Sequence, residues 1–348
     1  MEDLRKEFSI LEQYTYLNTA RFCALPKAVI RAQHDFLDHL NTHGSWKFDH
    51  WSNLYESTRV QAASLIGGEA KQTFFLPNTS LGFNMAAQYL PKMKVVCLHG
   101  DFPSVHMAWE SHGFEVQYLD YKSDSFYDKL STALALPNQI LSLSWIQSQD
   151  GFEIDLKRIF DLCKENNHIL VLDGTQGLGA IPFKIDPEVN CLFLASGFKW
   201  LMAGYGIAIG HASESLLSYL KPMRGWNSLA GMGIASGAKS LEVGNATYLN
   251  VAALSEGIKL IDKVSVEAIC QHNLTLRKHV EEWCKQNGVR FLNYSSRSSI
   301  LSMAVETRSY ARLVDNNVQV TDQGDFVRIS PHFYNNASDI EKMLDLIG

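Results

Sequence analysis

No stretch of this sequence approaches the ~20 consecutive apolar residues that a membrane-spanning helix needs. Its first residues, MEDLRKEFSILEQ, are too charged to read as a signal peptide. There is no cluster of lysine and arginine, and the formal net charge is -6. The chain therefore carries no electrostatic footprint for nucleic acid or an anionic membrane. Its six cysteines (Cys23, Cys97, Cys163, Cys191, Cys270 and Cys284) include no CxxC pair, and its twelve histidines include no HExxH. That scatter reads as reduced, buried thiols in a cytoplasmic protein without a metal site. Internal repeats and low-complexity tracts are missing as well.

What is present is an ordinary globular balance, 46% hydrophobic and 20% charged over 348 residues. That length suffices for two domains, or for one large α/β domain with an appendage. From about residue 70, short apolar runs alternate with amphipathic ones. The strand candidates are TFFL (73–76), KVVCL (94–98), EVQYL (115–119), QILSLS (139–144), HILVLD (168–173), NCLFLAS (190–196) and GIAIG (206–210). Several are almost continuously aliphatic, as expected where helices cover both faces of a sheet. Helical patterns lie between them in SLGFNMAAQYL, SVHMAWESHG and DLKRIFDLCKENN. The alternation predicts a mostly parallel α/β sheet. Ahead of it, FDHWSNLYESTRVQAASLIGG reads as a helix closed by Gly67 and Gly68.

The character changes at MRGWNSLAGMGIASGAK (223–239), a Gly/Ser-rich loop of the length usually given to function or to interfaces. Helices are expected over about 248–263 and 266–287, then short strands at VRFLN, ILSMAV, VQV and FVRIS, and a last helix at SDIEKMLDLI. Loss of strict alternation marks a smaller α+β domain from about residue 250.

Ligands of open α/β sheets sit outside the carboxyl ends of the strands, and three features fall there. After TFFLP come Asn78, Thr79 and Ser80, just before a helix, where hydroxyls and free N–H groups make an anion site; taken alone the stretch serves equally as an N-cap. After HILVL comes Asp173 in DGTQGLGA, a carboxylate at a strand end that could also be a turn residue. Its glycines run GxxGxG with the acid in front of them, which is not the dinucleotide fingerprint. After NCLFLAS comes Lys199, alone in the apolar run LASGFKWLMAGYG. Such a lysine either snorkels to water or is desolvated and nucleophilic, able to form a Schiff base. An anion cup, a carboxylate and a Schiff-base lysine are together what pyridoxal 5′-phosphate (PLP) requires.

With these residues in view, the sequence resembles the class V aminotransferase family of fold-type I PLP enzymes, which includes cysteine desulfurases, selenocysteine lyases, kynureninases and isopenicillin N epimerases. The likeness runs from YLNTARFCALPKAV to VRISPHFYNNASDIEKM, and its specific part is DGTQGLGAIPFKI…SGFKW…GYG. It implies an α/β fold: a large PLP-binding domain (15–245) with a mostly parallel sheet of about seven strands flanked by helices, a smaller C-terminal α+β domain (246–348), and an N-terminal segment (1–14) packed on the latter. It also implies a homodimer with the active site at the interface.

By position, the resemblance gives Lys199 the Schiff base and the proton shuttling at Cα, Asp173 the pyridine nitrogen, and Gln176 the phenolic oxygen. Thr79, Ser80 and Ser196 would hold the phosphate, and Phe102 would stack on the ring. Arg328 would clamp the substrate α-carboxylate, with Gln147 and Asn18 lining the substrate pocket. Asn245, in LEVGN, would reach the phosphate of the partner subunit.

Two departures qualify the likeness. Phe198 stands where desulfurases usually place a phosphate-binding histidine, and no cysteine follows Cys284, so the nucleophilic cysteine of the desulfurases has no counterpart. The expected reaction is accordingly an elimination on a small L-amino acid, as in a selenocysteine lyase or a desulfurase-like enzyme without the cysteine. Transamination, epimerisation and a catalytically silent PLP-binding protein are the alternatives.

Overall fold

The computed structural model describes residues 2–220, 237–242, 247–292 and 294–348. Strand β1 (Thr15–Tyr16) precedes the seven strands of the main sheet. These are β2 (Thr73–Leu76), β3 (Val95–Leu98), β4 (Val116–Leu119), β5 (Ile140–Ser144), β6 (Ile169–Asp173), β7 (Asn190–Ser196) and β8 (Ala208–Ala212). Their order across the sheet is β2-β8-β7-β6-β5-β3-β4, and only β8 runs against its neighbours. Each expected strand from 73 to 210 is present, the last displaced: Gly206, at φ +87°, still belongs to the turn that reverses the chain into β8.

The aliphatic runs are explained by two covered faces. Along β6, Leu170 and Leu172 enter one apolar cluster while Ile169 and Val171 enter another; along β7, Cys191, Phe193 and Ala195 oppose Leu192 and Leu194 in the same way. Side chains alternate across a strand, so each run feeds two cores at once. Parallel pairing aligns the strand ends. Ser144 lies opposite Asp173, and Asp173 opposite Leu194, two residues before Ser196.

The helices begin where capping chemistry allows. Asn78 accepts the Leu81 N–H at the head of helix Thr79–Tyr89, Pro103 opens helix Pro103–Ser111, and Asp155 accepts the Arg158 N–H at the head of Leu156–Glu165. Ile159, Phe160 and Cys163 are the buried positions of the last, as its periodicity required. Helices Lys27–His43, Phe126–Ala133 and Thr307–Asp315 were not foreseen. In the first of these only Val29 and Phe36 are buried, too few for a readable apolar stripe.

In the C-terminal part, β9 (Leu301–Ala304), β10 (Val318–Gln319), β11 (Thr321–Asp322) and β12 (Phe326–Ile329) follow. β11-β12-β9 form an antiparallel sheet, while β10 pairs in parallel with β1. The expected strand VRFLN is reduced to a single bridge between Phe291 and Met303. A third cluster gathers Leu17 with Leu276, Val280, Leu301, Met303, Val327, Ile329 and Ile340. Helix Tyr248–Val264 instead buries Val251, Leu254, Ile258 and Ile261 in the first cluster. The cores thus divide further along the chain than the change of pattern near residue 250. At the N-terminus, Arg5 pairs with Asp339 at 2.6 Å and Phe8 packs on Tyr334 with ring centroids 4.5 Å apart.

Helix Tyr248–Val264 crosses the loop after β7 so closely that a Cβ on Gly257 would lie 2.1 Å from the Leu201 carbonyl oxygen. Backbone on both sides leaves no flexible side chain to give way. Gly257→Ala is expected to cost about 1–3 kcal/mol, measured as a lower midpoint in urea denaturation, despite its gain in helix propensity.

Candidate active site

The ends of β6 and β7 and the head of helix Thr79–Tyr89 converge on a cavity of about 180 Å³. It is lined by Asn78, Thr79, Ser80, Phe102, Ser196 and Lys199, together with Asp173, Thr175, Gln176, Ser144, Ser148 and Phe198. Of the residues singled out in the sequence, Lys199, Asp173, Gln176, Thr79, Ser80, Phe102 and Ser196 are therefore brought together. Arg328 reaches the same place from β12, donating Nη1 to the Ser148 carbonyl oxygen. Gln147 does not line the cavity; its Nε2 is turned onto Asp101 at 3.2 Å. Asn18 faces a neighbouring cavity, and Asn245 lies outside the described residues.

Lys199 is only 7% exposed. Burial pushes its amine down to about 8, Asp173 opposing as a distant charge and Arg328 adding to the fall. Asp173 moves the other way, raised to about 6 by burial, although the Thr175 N–H donates to it at 2.8 Å and the charge of Lys199 also favours its ionised form. Both shifts have one cause, removal of a charge from water without an ion-pair partner in contact. At neutral pH the two groups still face each other as carboxylate and ammonium.

The anion end is made of neutral donors. Thr79 Oγ1 and Ser196 Oγ lie 3.3 Å apart, and Ser80 Oγ is 2.7 Å from Ser104 Oγ. They stand at a helix N-terminus whose leading N–H groups have no intrahelical acceptors and whose dipole favours negative charge. Gln176 is fixed at both ends of its amide: Nε2 donates to the Ala20 carbonyl oxygen at 3.0 Å and Oε1 accepts from Trp200 Nε1 at 2.9 Å. One N–H of its NH₂ remains for a ligand. The rings of Phe102 and Phe198 flank the amine, with centroids 5.5 and 5.4 Å from Nζ.

Sequence reasoning missed the residues that hold these groups. Thr175 donates its N–H to Asp173 and accepts the Ser196 N–H at 3.0 Å, tying β6 to β7. Asp101, 4% exposed, accepts from the N–H groups of Ser144 and Phe102 at 2.8 and 2.6 Å, and from Ser144 Oγ. Its place before Phe102 in GDFPS was the only available signal. Arg328 is buried against neutral acceptors only, Ser148 O and Thr321 Oγ1 (3.1 Å), with Nε unpartnered. A guanidinium so held keeps donor capacity for a further acceptor.

The donor set fits PLP: hydroxyls and a helix N-terminus for its phosphate, a buried carboxylate for its ring nitrogen, apolar ring faces, and an amine depressed enough to be partly free base. The family model Aminotransferase class-V matches residues 15–343. Among similar proteins, the uncharacterized aminotransferase YcbU of Bacillus subtilis (strain 168) is 23% identical, covering 100% of this chain and 97% of its own. The cysteine desulfurase CsdA of Escherichia coli superposes with a TM-score of 0.87 at 20% identity, over 99% of this chain and 96% of its own. The cystine C-S lyase C-DES, solved with its product cysteine persulfide, gives a TM-score of 0.84 at 18% identity, over 98% of each chain. The chain belongs to the class V aminotransferase family of PLP-dependent enzymes.

The depressed Lys199 amine can be read directly. In cofactor-free protein, acetic anhydride should label Lys199 with a midpoint near pH 8, followed by mass spectrometry of its peptide. A Lys199 midpoint near the ordinary lysine value of 10.5 would remove the desolvation argument.

Proposed function

We propose that this protein is a PLP-dependent lyase, eliminating a β-substituent from an L-amino acid without a nucleophilic cysteine. The observation that supports it most is one cavity holding a desolvated lysine and a buried carboxylate, with no thiol on its wall among the described residues. All six cysteines are buried elsewhere, and burial raises the thiol of each of them. When bound, PLP supplies an electron sink for the charge left when a bond to Cα breaks.

Each residue then has a defined task. Lys199 Nζ would hold the aldehyde carbon of PLP, and the same amine would move the proton at the substrate Cα; a value near 8 suits a base at neutral pH. Asp173, ionised at pH 7, would keep a proton on the ring nitrogen. Thr79, Ser80 and Ser196 would hold the phosphate, Gln176 would donate to the phenolic oxygen, and Phe102 would pack on the ring face. Arg328 binds the α-carboxylate and so fixes which Cα bond faces Lys199.

We place Asn245 in trans, at the phosphate of the partner in a homodimer. Glu242, just before it, is fixed by Arg59 Nη1 at 2.5 Å, the Phe75 N–H at 2.8 Å and Tyr55 Oη at 3.0 Å. Transamination is the second reading, favoured by the full-length match to a protein named an aminotransferase.

Lys199→Ala should bind PLP without forming the visible absorption band of the wild type and lose turnover by at least ~10³-fold, the scale of losing a catalytic base and its covalent link. Arg328→Ala should keep the band and raise KM for amino acids by roughly tenfold or more. A wild-type protein that takes up no PLP would falsify the proposal. Pyruvate from a β-substituted alanine indicates elimination, whereas a keto acid that retains the substituent indicates transamination.

A further inference from the structure

Next to the Lys199 site lies a second cavity, of about 520 Å³, walled by Tyr14, Tyr16, Asn18, Arg21, Phe22 and Tyr205 and closed by residues of the C-terminal part. It is nearly three times the volume of the Lys199 cavity and far more than a thiol or selenol side chain fills. No Asp or Glu lines it, and Arg21 is its one formal charge among the described residues.

Two routes join it to the chemistry. Asn18 Oδ1 accepts from Thr321 Oγ1, and that hydroxyl accepts from Arg328 Nη2, so its wall is two hydrogen bonds from the carboxylate clamp. Phe198, on the wall of the Lys199 cavity, stacks on Tyr205 at 4.9 Å, and Tyr205 packs on Phe22 at 4.8 Å. Tyr205 is 67% exposed. The charge of Arg21 also reaches Arg328, which burial and Arg21 together push down to about 10. Two guanidiniums, one at the end of this hydrogen-bond route and one on the wall of the cavity it reaches, neither in an ion pair with a carboxylate among the described residues, make a receptor for two anionic groups separated by an apolar linker.

We propose that this cavity is the leaving-group subsite and that the substrate is an S-substituted L-cysteine whose substituent carries a carboxylate. The α-carboxylate sits on Arg328, the distal carboxylate on Arg21, and the aromatic walls cover the stem between them. This rests on the elimination reading and names its substrate class. The reaction balances without an oxidant or reductant. Lys199 takes the Cα proton, the Cβ–S bond breaks with its electron pair going to sulfur, and the thiolate takes up a proton. The three-carbon fragment consumes one water and leaves as pyruvate and ammonium: R–S–CH₂–CH(NH₃⁺)–COO⁻ + H₂O → R–SH + CH₃–CO–COO⁻ + NH₄⁺.

The test compares S-carboxymethyl-L-cysteine with its neutral isostere S-carbamoylmethyl-L-cysteine on PLP-loaded full-length protein, following pyruvate. The acid should be preferred by roughly tenfold in kcat/KM, the value of one charge-assisted pair. Arg21→Gln should bring the ratio to about one, and Arg21→Lys should keep part of it. A readout without turnover uses cofactor-free protein and calorimetry. Glutarate should bind more tightly than butyrate, and Arg21→Gln should abolish the difference. Equal handling of acid and amide by the wild type, or a preference that survives Arg21→Gln, overturns the subsite. If neither compound is turned over the elimination reading falls, and the glutarate comparison alone then decides whether the dianion subsite exists.

Discussion

A charge removed from water must find another charge, a hydrogen bond or a changed protonation state, and the site of this protein is arranged around that demand. Lys199, Asp173 and Arg328 are 7%, 5% and 7% exposed, yet they are not joined in one ion pair. Asp173 leans on the Thr175 N–H, Arg328 on Ser148 O and Thr321 Oγ1, and Lys199 has only charge–charge attraction to set against burial. Partial pairing is costly at low dielectric. At about 1.4 kcal/mol per pKa unit, moving lysine from 10.5 to about 8 penalises the cofactor-free fold by on the order of 3 kcal/mol. That penalty acts below pH 8 and vanishes above 10.5. For Asp173 the sign is opposite: its penalty acts above about 6 and vanishes below 3.8. Neutral pH is where both act together. On the proposed reading, a covalent partner on Nζ and a cationic ring nitrogen at Asp173 would relieve both at once.

Such a site can be held only by a rigid frame. Register between β5, β6 and β7 sets Ser144, Asp173 and Leu194 side by side, and two apolar clusters fix the sheet from both faces. The second buried carboxylate, Asp101, belongs to this frame. It fastens the end of β5 through Ser144, the entry of Phe102 into its helix, and the Gln147 side chain. Its charge raises Asp173 slightly further, so the residue that holds the Phe102 backbone also tunes that carboxylate.

The fold was legible because continuous aliphatic runs such as HILVLD have few other uses, and strand ends then gave Asp173, Ser196 and Lys199 their places. Arg328 was legible only through resemblance, since VRIS is an ordinary short strand. What stayed hidden depends on contacts distant in sequence. Thr175 looks like a spacer in DGTQG until its hydroxyl meets the Ser196 N–H across the sheet. Gln147 and Asn18 had the right chemistry for a pocket wall, but one is satisfied by Asp101 and the other faces the adjoining cavity. Helix Lys27–His43 escaped notice because so little of it is buried.

The two phenylalanines draw these strands together. A histidine in place of Phe198 or Phe102 would add a titratable donor to the cavity wall. With phenylalanine at both positions, Lys199 is the only base besides the buried carboxylate of Asp173 on the cavity wall among the described residues, so on the proposed reading proton movement at Cα would fall to it. Apolar rings on either side also keep its amine desolvated, and desolvation is the largest cause of its depressed value. The two phenylalanines and a wall without a thiol among the described residues therefore act in the same direction. On the proposed reading, chemistry is concentrated in a single amine, and the stacked rings of Phe198 and Tyr205 would link it to the proposed substituent subsite around Arg21.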